Sequence, residues 1–484
     1  MRSNPAQALA AFALLVSPAT SLLAQDGKDA VTAHIASRAG TYGAVAQQIW
    51  DLAEVGYLEN QSSALLQRQL AEGGFRVEAG VAGMPTAFVA SWGEGSPVIG
   101  ILAEFDALPG LSQERVPERA VREGAGAGHA CGHHLFGTGS VAAALAVKEW
   151  LQSSGTGGTI RLYGTPAEEG GAGKVYLVRG GLFDDVDAVL HWHAADANDA
   201  SPGQSLANKS AKFRFYGTSA HAAAAPERGR SALDAVEAMN HMVNLMREHV
   251  PQETRIHYVI TAGGSAPNVI PDFAEVYYYV RHPDPEQVVD IFDRVETAAR
   301  GAALGTGTEV QFEVIHGIFA LLPNEALARV VHENLLAVGG VEYDEKEKAF
   351  AEALRESLPD DAPPLESAAR IQPFEMKPAG GSTDVGDVSW VVPTAGLDVA
   401  TWVPGTAAHS WQAIAAGGTS IGEKGMLVAA KTLARTAVDL FQNPALVVEA
   451  TAEYHDRVGP DFRYVSLVGD RDPPLDYRRP AGER

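Results

Sequence analysis

The hydrophobic and polar positions of the first part of the chain predict a layered α/β protein. A largely apolar run at 96–103 is typical of a strand buried on both faces, and further strands are predicted at 159–163 and 187–193. Apolar residues at helical spacing predict helices at 33–73, 137–151, 324–338, 344–357 and 420–441. Strands that alternate with helices predict a mostly parallel sheet, in which ligands bind beyond the carboxyl ends of the strands.

A different pattern begins near Leu206. Short strands are predicted at 212–216, 255–261, 274–281 and 308–314, and helices at 229–250 and 285–304. Their order, β-α-β-β-α-β, is that of a ferredoxin-like unit. We therefore expect an α/β domain over 28–205 and 320–445, interrupted by an inserted α+β domain over 206–319. Residues 446–484 are rich in charge and proline and are expected to form a C-terminal tail packed on the surface.

The first 24 residues are expected to be a secretory signal peptide. Arg2 precedes an apolar run over 8–23, and Ala24-Gln25 offers a cleavage point before a charged segment. The run is short for a membrane span, and the alternative is an N-terminus that stays anchored or disordered. We therefore expect a secreted or periplasmic protein that is not bound to the membrane after the signal is removed.

The composition and charge of the chain limit the kinds of molecule that the protein is expected to bind. The chain has 484 residues, 46% of them hydrophobic, which is typical of a soluble globular protein of about two domains. The formal net charge of −23 argues against nucleic acid and against an anionic membrane surface, because both require basic patches. A small anionic substrate remains compatible, since it needs only local positive charge.

Candidate chemistry centres on the only cysteine, Cys131, in the run Gly-His-Ala-Cys-Gly-His-His over 128–134. Thiolate and imidazole are the ligands that zinc prefers, although a buried cysteine beside a capping histidine is the simpler alternative. Glu168 and Glu169 follow a predicted strand, where one carboxylate can bind a metal while the other faces a substrate. A solvated acidic turn is the alternative there.

Histidines complete the candidate site. His191 and His193 point to the same face of the third predicted strand, and His409 lies in a loop before an apolar helix. With Cys131, His133, Glu168 and Glu169, these donors suit a hydrolytic site with one or two metal ions. The metals lower the pKa of a bound water and polarise a carbonyl, while a spare carboxylate moves the proton. One rival interpretation is a cysteine hydrolase with Cys131 as nucleophile and a histidine base, which leaves the glutamate pair without a purpose. The other is a non-catalytic binding or assembly protein on the same fold, which the intact set of candidate residues argues against.

Seven motifs in consistent order over about residues 30–445 resemble those of the zinc-dependent amidohydrolases related to aminoacylase, hippuricase and indole-acetyl-amino-acid hydrolase. They are GHACGHH, TPAEEGG, HWH, GTSAHAAAAPERGRSALDA, GGSAPNVIPD, GGSTDVGDVSW and GTAAHSW. PGLSQ at 109–113 and STDVGDVSW resemble the branch of the family that acts on aminobenzoyl-glutamate. The resemblance implies an α/β catalytic domain with a dinuclear metal site and an inserted dimerisation domain. It also implies hydrolysis of the amide bond of N-acyl or N-aroyl amino acids, with dipeptidase or carboxypeptidase action as the alternative.

The resemblance further implies roles for single residues. The implied ligands of two divalent ions, zinc or else manganese, cobalt or nickel, are Cys131, His133, Glu169, His193 and His409. Cys131 would lie between the two ions, Glu168 would be the general base, and Asp106 would orient a ligand histidine.

Three further residues are implied to meet the substrate. His221 would reach the reacting carbonyl, often in the neighbouring subunit of a homodimer or larger homo-oligomer, and Asn268 and Arg281 would hold the polar end of the substrate. A structural ion pair is the alternative for Arg281. The chain departs from the family pattern at His134, where relatives usually carry Asp or Asn, and in its additional histidines His129 and His191.

Overall fold

The computed structural model describes residues 18–479, with side chains from Asp26 onward. The predicted signal peptide, residues 1–24, therefore lies outside the described side chains and, up to residue 17, outside the described backbone. Among residues 18–479, no helix combines the length and the apolar character needed to cross a membrane.

Twelve strands and fourteen α-helices are found within the described residues. The strands are β1 (Arg76–Ala79), β2 (Phe88–Glu94), β3 (Val98–Ala103), β4 (Leu108–Pro109), β5 (Ala127–Gly128), β6 (Gly158–Gly164), β7 (Ala188–Ala195), β8 (Ala207–Tyr216), β9 (Arg255–Ala262), β10 (Phe273–His282), β11 (Glu309–Ile318) and β12 (Thr394–Ala400). The helices are α1 (Pro18–Ser37), α2 (Ala39–Leu52), α3 (Asn60–Glu72), α4 (His133–Ser154), α5 (Glu168–Gly171), α6 (Gly173–Arg179), α7 (Ala232–Met246), α8 (Pro285–Thr306), α9 (Glu325–Val338), α10 (Glu345–Arg355), α11 (Val385–Ser389), α12 (Trp411–Gly417), α13 (Ser420–Gln442) and α14 (Pro444–Val458).

The central sheet is mainly parallel, as expected. Its six strands run in the order β1-β2-β6-β3-β7-β12, and the four strands from β6 to β12 are parallel. All six residues of β3 are buried, because helices cover both faces of the sheet. The carboxyl ends of the four parallel strands therefore meet at one edge, and the candidate chemistry follows those ends.

A second, antiparallel sheet has the order β11-β8-β10-β9 and the chain order β-α-β-β-α-β. One face packs on α7 and α8, and side chains such as Phe213, Tyr278 and Phe292 fill the space between sheet and helices. The opposite face carries polar side chains at the alternate positions. This face lines a cavity that also reaches the edge of the central sheet.

The predicted elements are present, and their ends differ by several residues at some positions. Helix α4 begins at His133, and β8 begins at Ala207, five residues before the predicted strand. The segment predicted only as a surface tail contains α14, which packs on α9. The predicted domain boundaries at 206 and 319 stay a prediction.

Candidate metal centre

Side chains from four chain segments converge where the parallel strands end. Asp106 follows β3, Glu168 and Glu169 follow β6, and His193 lies near the end of β7. His409 lies in the loop between β12 and α12. The parallel arrangement of the strands thus brings together donors that are up to about 300 positions apart in the sequence.

Gly132 allows Cys131 and His133 to face the same point. Its φ of +75° lies in the left-handed region, and a Cβ at this position would lie 2.3 Å from the Cβ of Ala194. The chain turns there, and α4 begins immediately with His133. No residue with a side chain fits this turn without displacing β7.

His133 is held between two buried carboxylates. Its Nδ1 lies 2.9 Å from Asp106 Oδ1, and its Nε2 lies 3.0 Å from Glu104 Oε2. Burial lowers the pKa of His133, but the two carboxylates outweigh burial and hold that pKa well above its usual value. The same imidazole lowers the pKa of Asp106 against the opposing effect of burial. A cation that binds at Nε2 must therefore displace a proton.

Cys131 is shared by two groups of three donor atoms. One group is Cys131, His133 and His193, the other is Cys131, Glu169 and His409, and the donor atoms of each lie within 4.8 Å of one another. The Cys131 Sγ lies 3.4 Å from His193 Nε2, and His409 Nε2 lies 3.1 Å from Glu169 Oε1. Each of the two groups could hold a divalent ion, and Cys131 is a donor common to both.

The donor set fits divalent metal ions on two further observations. His133 Nε2 and Glu169 Oε1 are buried and make no aligned hydrogen bond, so both are available to a ligand within the site. Sulfur, imidazole and carboxylate form the mixture of ligands typical of zinc and of other first-row divalent ions.

The loop that carries the two glutamates has an unusual backbone. Ala167 has a φ of +58° and Ala172 a φ of +55°, which are sparsely populated for alanine. The buried carboxylate of Glu59 accepts a 2.8 Å hydrogen bond from the Ala167 amide and so holds the turn. His409 also has a positive φ, of +60°. These three residues, which all have a strained backbone conformation, lie at the candidate site.

Lys174 connects this loop to the opposite side of the site. Its buried ammonium lies 2.6 Å from Glu104 Oε1 and 2.6 Å from Asp384 Oδ1. Burial lowers the pKa of Lys174. The carboxylates of Asp384 and Glu104 raise this pKa by more than burial lowers it, so the side chain stays charged. Lys174 in turn helps to lower the pKa of Glu104. A buried cation thereby balances part of the negative charge around His133.

Glu168 lies beside this charge network and lines the cavity. Its carboxylate forms a third donor group with Glu104 and His133, again within 4.8 Å. Burial, followed by the charges of Glu104 and Glu169, raises the pKa of Glu168 well above its usual value. A carboxyl group of this kind binds a proton readily and is suited to general acid–base chemistry.

The additional histidines have other partners. The Nε2 atoms of His129 and His134 lie 3.0 Å from the carbonyl oxygens of Ile49 and Gly417, respectively. Burial lowers the pKa of both rings, to about 4 for His129. These two histidines therefore connect α2 and α12 to the turn around Cys131 as neutral groups. His191 lines the cavity on the same face of β7 as His193, as predicted from the alternation.

The cavity has a volume of about 750 Å³ and is bounded by both sheets. Cys131, Glu168, Glu169 and His193 line one side, and Arg281 of β10 lines the other. Arg281 makes none of the ion pairs found in residues 18–479, and its buried Nε has no hydrogen-bond partner. The structure thus gives no support to the alternative of a structural ion pair for Arg281.

His221 and Asn268 do not line this cavity. The two are neighbours, since His221 forms a β-bridge with Val269 and the Ala222 amide donates to the Asn268 carbonyl at 3.0 Å. Both are exposed. Within one described chain, these two predicted substrate-binding residues are therefore separate from the metal-ligand candidates.

The C-terminal segment also reaches the site. Tyr477 Oη donates a 3.1 Å hydrogen bond to the Glu169 carbonyl, and the Arg478 guanidinium donates to the same oxygen. Tyr477 packs edge-on against Tyr57 at 5.7 Å. The residues that sequence reasoning missed are thus Glu59, Glu104, Lys174, Asp384, Tyr477 and Arg478. Asp384 lies in the GGSTDVGDVSW motif, and Glu104 directly follows a predicted buried strand, so the sequence pointed to both residues.

Comparison with known proteins assigns the chain to a family. Residues 207–307 match a family model described as the peptidase dimerisation domain of M20 proteins. The chain is 42% identical to one of the subunits of the p-aminobenzoyl-glutamate hydrolase of Escherichia coli, over 85% of this chain and 92% of that protein. The chain belongs to the M20 family. It is a metal-dependent hydrolase of carbon–nitrogen bonds in amides or peptides, as the motifs implied.

A further relative and a solved structure support the same assignment. Mouse Xaa-Arg dipeptidase is 31% identical over 85% of this chain and 88% of its own length. The crystal structure of a Bacillus subtilis dinuclear metal-binding peptidase of the M20 family is 18% identical and superposes with a TM-score of 0.57, over 84% of this chain and 99% of that one. The predicted fold, a mainly parallel α/β sheet with a separate antiparallel sheet, is therefore confirmed as the M20 fold.

Proposed function

We propose that this M20 protein hydrolyses the amide bond of N-acyl or N-aroyl amino acids of the aminobenzoyl-glutamate type. The observation that carries the proposal is the position of Glu168 in the cavity. It lies beside two donor groups that share Cys131, and the opposite wall carries an unpaired cation, Arg281. The name of the 42% identical relative supports the same class of substrate.

In the proposed mechanism, Cys131, His133, Glu169, His193 and His409 would hold two divalent ions, zinc or else manganese, cobalt or nickel. Such ions lower the pKa of water and polarise an amide carbonyl. Glu168 takes the proton of the attacking water and returns it to the departing nitrogen. Its raised pKa suits a group that holds the proton between these two transfers. Asp106 fixes the ring of His133, and Arg281 pairs with the carboxylate of the amino acid half.

We further propose that His221 and Asn268 complete the site of a neighbouring subunit in a homodimer. Strand β9 is an edge strand of the second sheet, and its Tyr258, Val259 and Ile260 are exposed. An exposed apolar edge strand is suited to pairing with a second copy. In such a dimer, His221 would stabilise the oxyanion of the adjacent site.

A complementation experiment tests this dimer. Glu168→Gln and His221→Ala variants, each inactive alone, are mixed, denatured gently and refolded together. Because random exchange leaves one intact site in each mixed dimer, about a quarter of the normal activity is expected. Activity that stays at the level of the separate variants would show that His221 acts within its own chain or not at all.

We also propose that the protein is exported, because the N-terminal segment has the pattern of a signal peptide. Helix α1 runs across the predicted cleavage point, and the side chains after that point pack on the folded protein. Lys28 pairs with Asp439 at 2.6 Å, and Val31 and Ile35 are fully buried, so residues from about 27 onward belong to the folded body. Mass spectrometry of the periplasmic protein tests the proposal, and a mature N-terminus near Gln25 is expected.

The main test of the function measures amine release from N-aroyl amino acids, N-acyl amino acids and dipeptides. Each is assayed as purified, after chelation, and after zinc or manganese is added back. We expect chelation to abolish amine release and added metal to restore it. N-aroyl amino acids should be cleaved fastest. Preference for dipeptides would favour the alternative of dipeptidase or carboxypeptidase action. The 31% identity to Xaa-Arg dipeptidase supports that alternative.

The cysteine-nucleophile interpretation predicts a different result. It requires chelator-resistant cleavage that iodoacetamide abolishes. Burial raises the pKa of the Cys131 thiol, so a reactive thiolate is scarce at neutral pH in the absence of metal. We therefore expect chelation, and not alkylation of the metal-loaded enzyme, to remove activity.

A further inference from the structure

Residues 462–478, called the strap here, connect the second sheet to the loop that carries the two glutamates. One end of the strap contacts Phe319, the residue that follows β11, and the other end contacts the Glu169 carbonyl. The strap contains no helix or strand, yet Leu467 and Val468 in its middle are only 7% and 5% exposed. Its side chains must therefore hold it in place.

The strap begins in an aromatic cluster where the chain leaves the second sheet. The ring centres of Phe462 and Tyr464 lie 6.2 and 5.2 Å from that of Phe319. Tyr464 Oη also donates a 2.6 Å hydrogen bond to the buried Asp387, whose other oxygen accepts the Phe319 amide at 3.0 Å. One carboxylate therefore fixes both the strap and the exit from the second sheet.

The middle of the strap is bound to β11. Arg471 Nη1 donates to the carbonyl oxygens of Val314 and Ile315 at 2.6 and 2.8 Å. Ile315 is the extra residue of a β-bulge, because the register of β11 with β8 shifts just after Val314. At Gly317, a Cβ would lie 2.7 Å from the Leu467 Cβ, so the glycine leaves room for the strap. The second sheet thus has a fitted seat for it.

The other end of the strap is seated on the glutamate loop. Tyr477 and Arg478 donate to the carbonyl oxygen of Glu169, which is a candidate metal ligand. Gly56 leaves room for this contact, since a Cβ there would lie 2.2 Å from Tyr477 Oη. The position of the strap therefore bears directly on a donor of the metal centre.

Arg471 also connects the strap to α6, the helix that follows the glutamate loop. The Arg179 guanidinium of α6 donates to the carbonyl oxygens of Gly469 and Arg471, at 2.8 and 2.6 Å. The side chain of Arg471 thus binds β11 while its carbonyl oxygen binds α6. A continuous series of hydrogen bonds runs from the second sheet to the backbone of the glutamate loop.

We propose that Arg471 is a positioning residue of the metal centre, because it anchors the strap on the second sheet and thereby holds the Glu169 loop in place. The cavity has Arg281 of the second sheet on one wall and Glu169 on the other. A strap fixed to both walls couples the placement of the second sheet to that of a metal ligand. This inference goes beyond the proposed function and does not depend on which amide is cleaved.

Release of zinc to a chromophoric chelator tests the proposal. The zinc-loaded protein is mixed with excess chelator, and the release rates are recorded. Arg471→Met is expected to speed the release of one zinc ion by about twofold to tenfold, the equivalent of one ordinary hydrogen bond. Arg471→Lys should restore most of the wild-type rate. Both carbonyls meet a single nitrogen of Arg471, so one ammonium group can replace it.

A double-mutant cycle separates positioning through the strap from a general loss of stability. The background is Tyr477→Phe with Arg478→Met, which loosens the strap at the glutamate loop. In this background, Arg471→Met should speed release by less than about twofold, because the strap no longer transmits its effect. Arg463→Met is the control and should release zinc at the wild-type rate, since among residues 18–479 its side chain bonds only to the neighbouring Phe462 carbonyl.

Thermal unfolding checks that each variant is folded. If Arg471→Met does not fold, Leu467→Ala removes packing at the same end of the strap and takes its place in the cycle. A wild-type release rate for the single variant, or effects that simply multiply in the cycle, would overturn the proposal. Because the measurement is zinc release and not amine release, a failure of the proposed function would leave this result unaffected, and the two failures are distinguishable.

Discussion

Asp106 and His133 are joined by a 2.9 Å contact between Oδ1 and Nδ1, and neither side chain is exposed to solvent. The second oxygen of Asp106 accepts the backbone N–H of Glu169 at 3.0 Å. One carboxylate thus orients the imidazole of one donor group and the backbone of a residue in the other. Both donor groups depend on it, although Asp106 itself belongs to neither.

Replacing Asp106 by Asn should therefore weaken metal binding at both donor groups. The amide keeps the shape but removes the charge that orients the His133 ring. We expect metal affinity to fall about 10- to 100-fold, which is the usual effect of losing such a partner. Competition with a chromophoric chelator measures the affinity, and unchanged binding of both ions would contradict the prediction.

The adjacent glutamates should respond differently to the same substitution. Glu168→Gln should retain two metal ions and lose activity by about 10²- to 10⁴-fold, because a general base is removed. Glu169→Gln should lose metal, because Glu169 belongs to a donor group with Cys131 and His409. Elemental analysis together with kcat measures both effects. A near-normal rate for Glu168→Gln would exclude Glu168 as the base.

Acid should destabilise the fold in part through His129. Burial lowers the pKa of His129 from 6.5 to about 4. Between these two pH values the unfolded chain binds a proton that the folded protein excludes, so stability is full above pH 6.5 and is lost as the pH falls towards 4. His129→Gln keeps a donor for the Ile49 carbonyl. It should reduce the slope of the free energy of unfolding against pH by up to about 1.4 kcal/mol per pH unit. Urea unfolding at several pH values measures it, with the exposed His249→Gln as control.

The C-terminal segment should affect the metal centre although, up to Arg479, it contributes no donor. Arg478 and Tyr477 both donate to the carbonyl oxygen of Glu169. Arg478→Met should loosen this loop and weaken retention of one metal ion several-fold, while Arg478→Lys should retain most of the binding.

Arg463→Met is the matched control for this prediction, because Arg463 lies in the same segment and, among residues 18–479, bonds only to the neighbouring Phe462 carbonyl. Dialysis against a chelator, followed by elemental analysis, measures retention. Equal retention in Arg478→Met and in wild type would show that the segment does not support the site.

The sequence by itself predicted most of the elements and most of the candidate donors. Apolar periodicity predicted the buried strand β3 and the helix α13, because burial on both faces or on one stripe leaves a direct trace in residue order. Motifs identified Cys131, Glu168 and His409, because these side chains follow strand ends or lie in short glycine-containing turns. Strands β1, β2 and β12 were missed, because short runs of mixed polarity carry little periodicity.

Only the tertiary structure decided which groups meet. Nothing in residue order links Lys174 to Glu104 and Asp384, or Arg478 to Glu169, since each contact joins segments that are distant in the chain. The same holds for Arg471, whose guanidinium meets the carbonyl oxygens of Val314 and Ile315, 157 and 156 positions away in the chain. Periodicity reports how much of a residue is buried, whereas the partner of a buried polar group is fixed by strand order and register, which are properties of the folded chain.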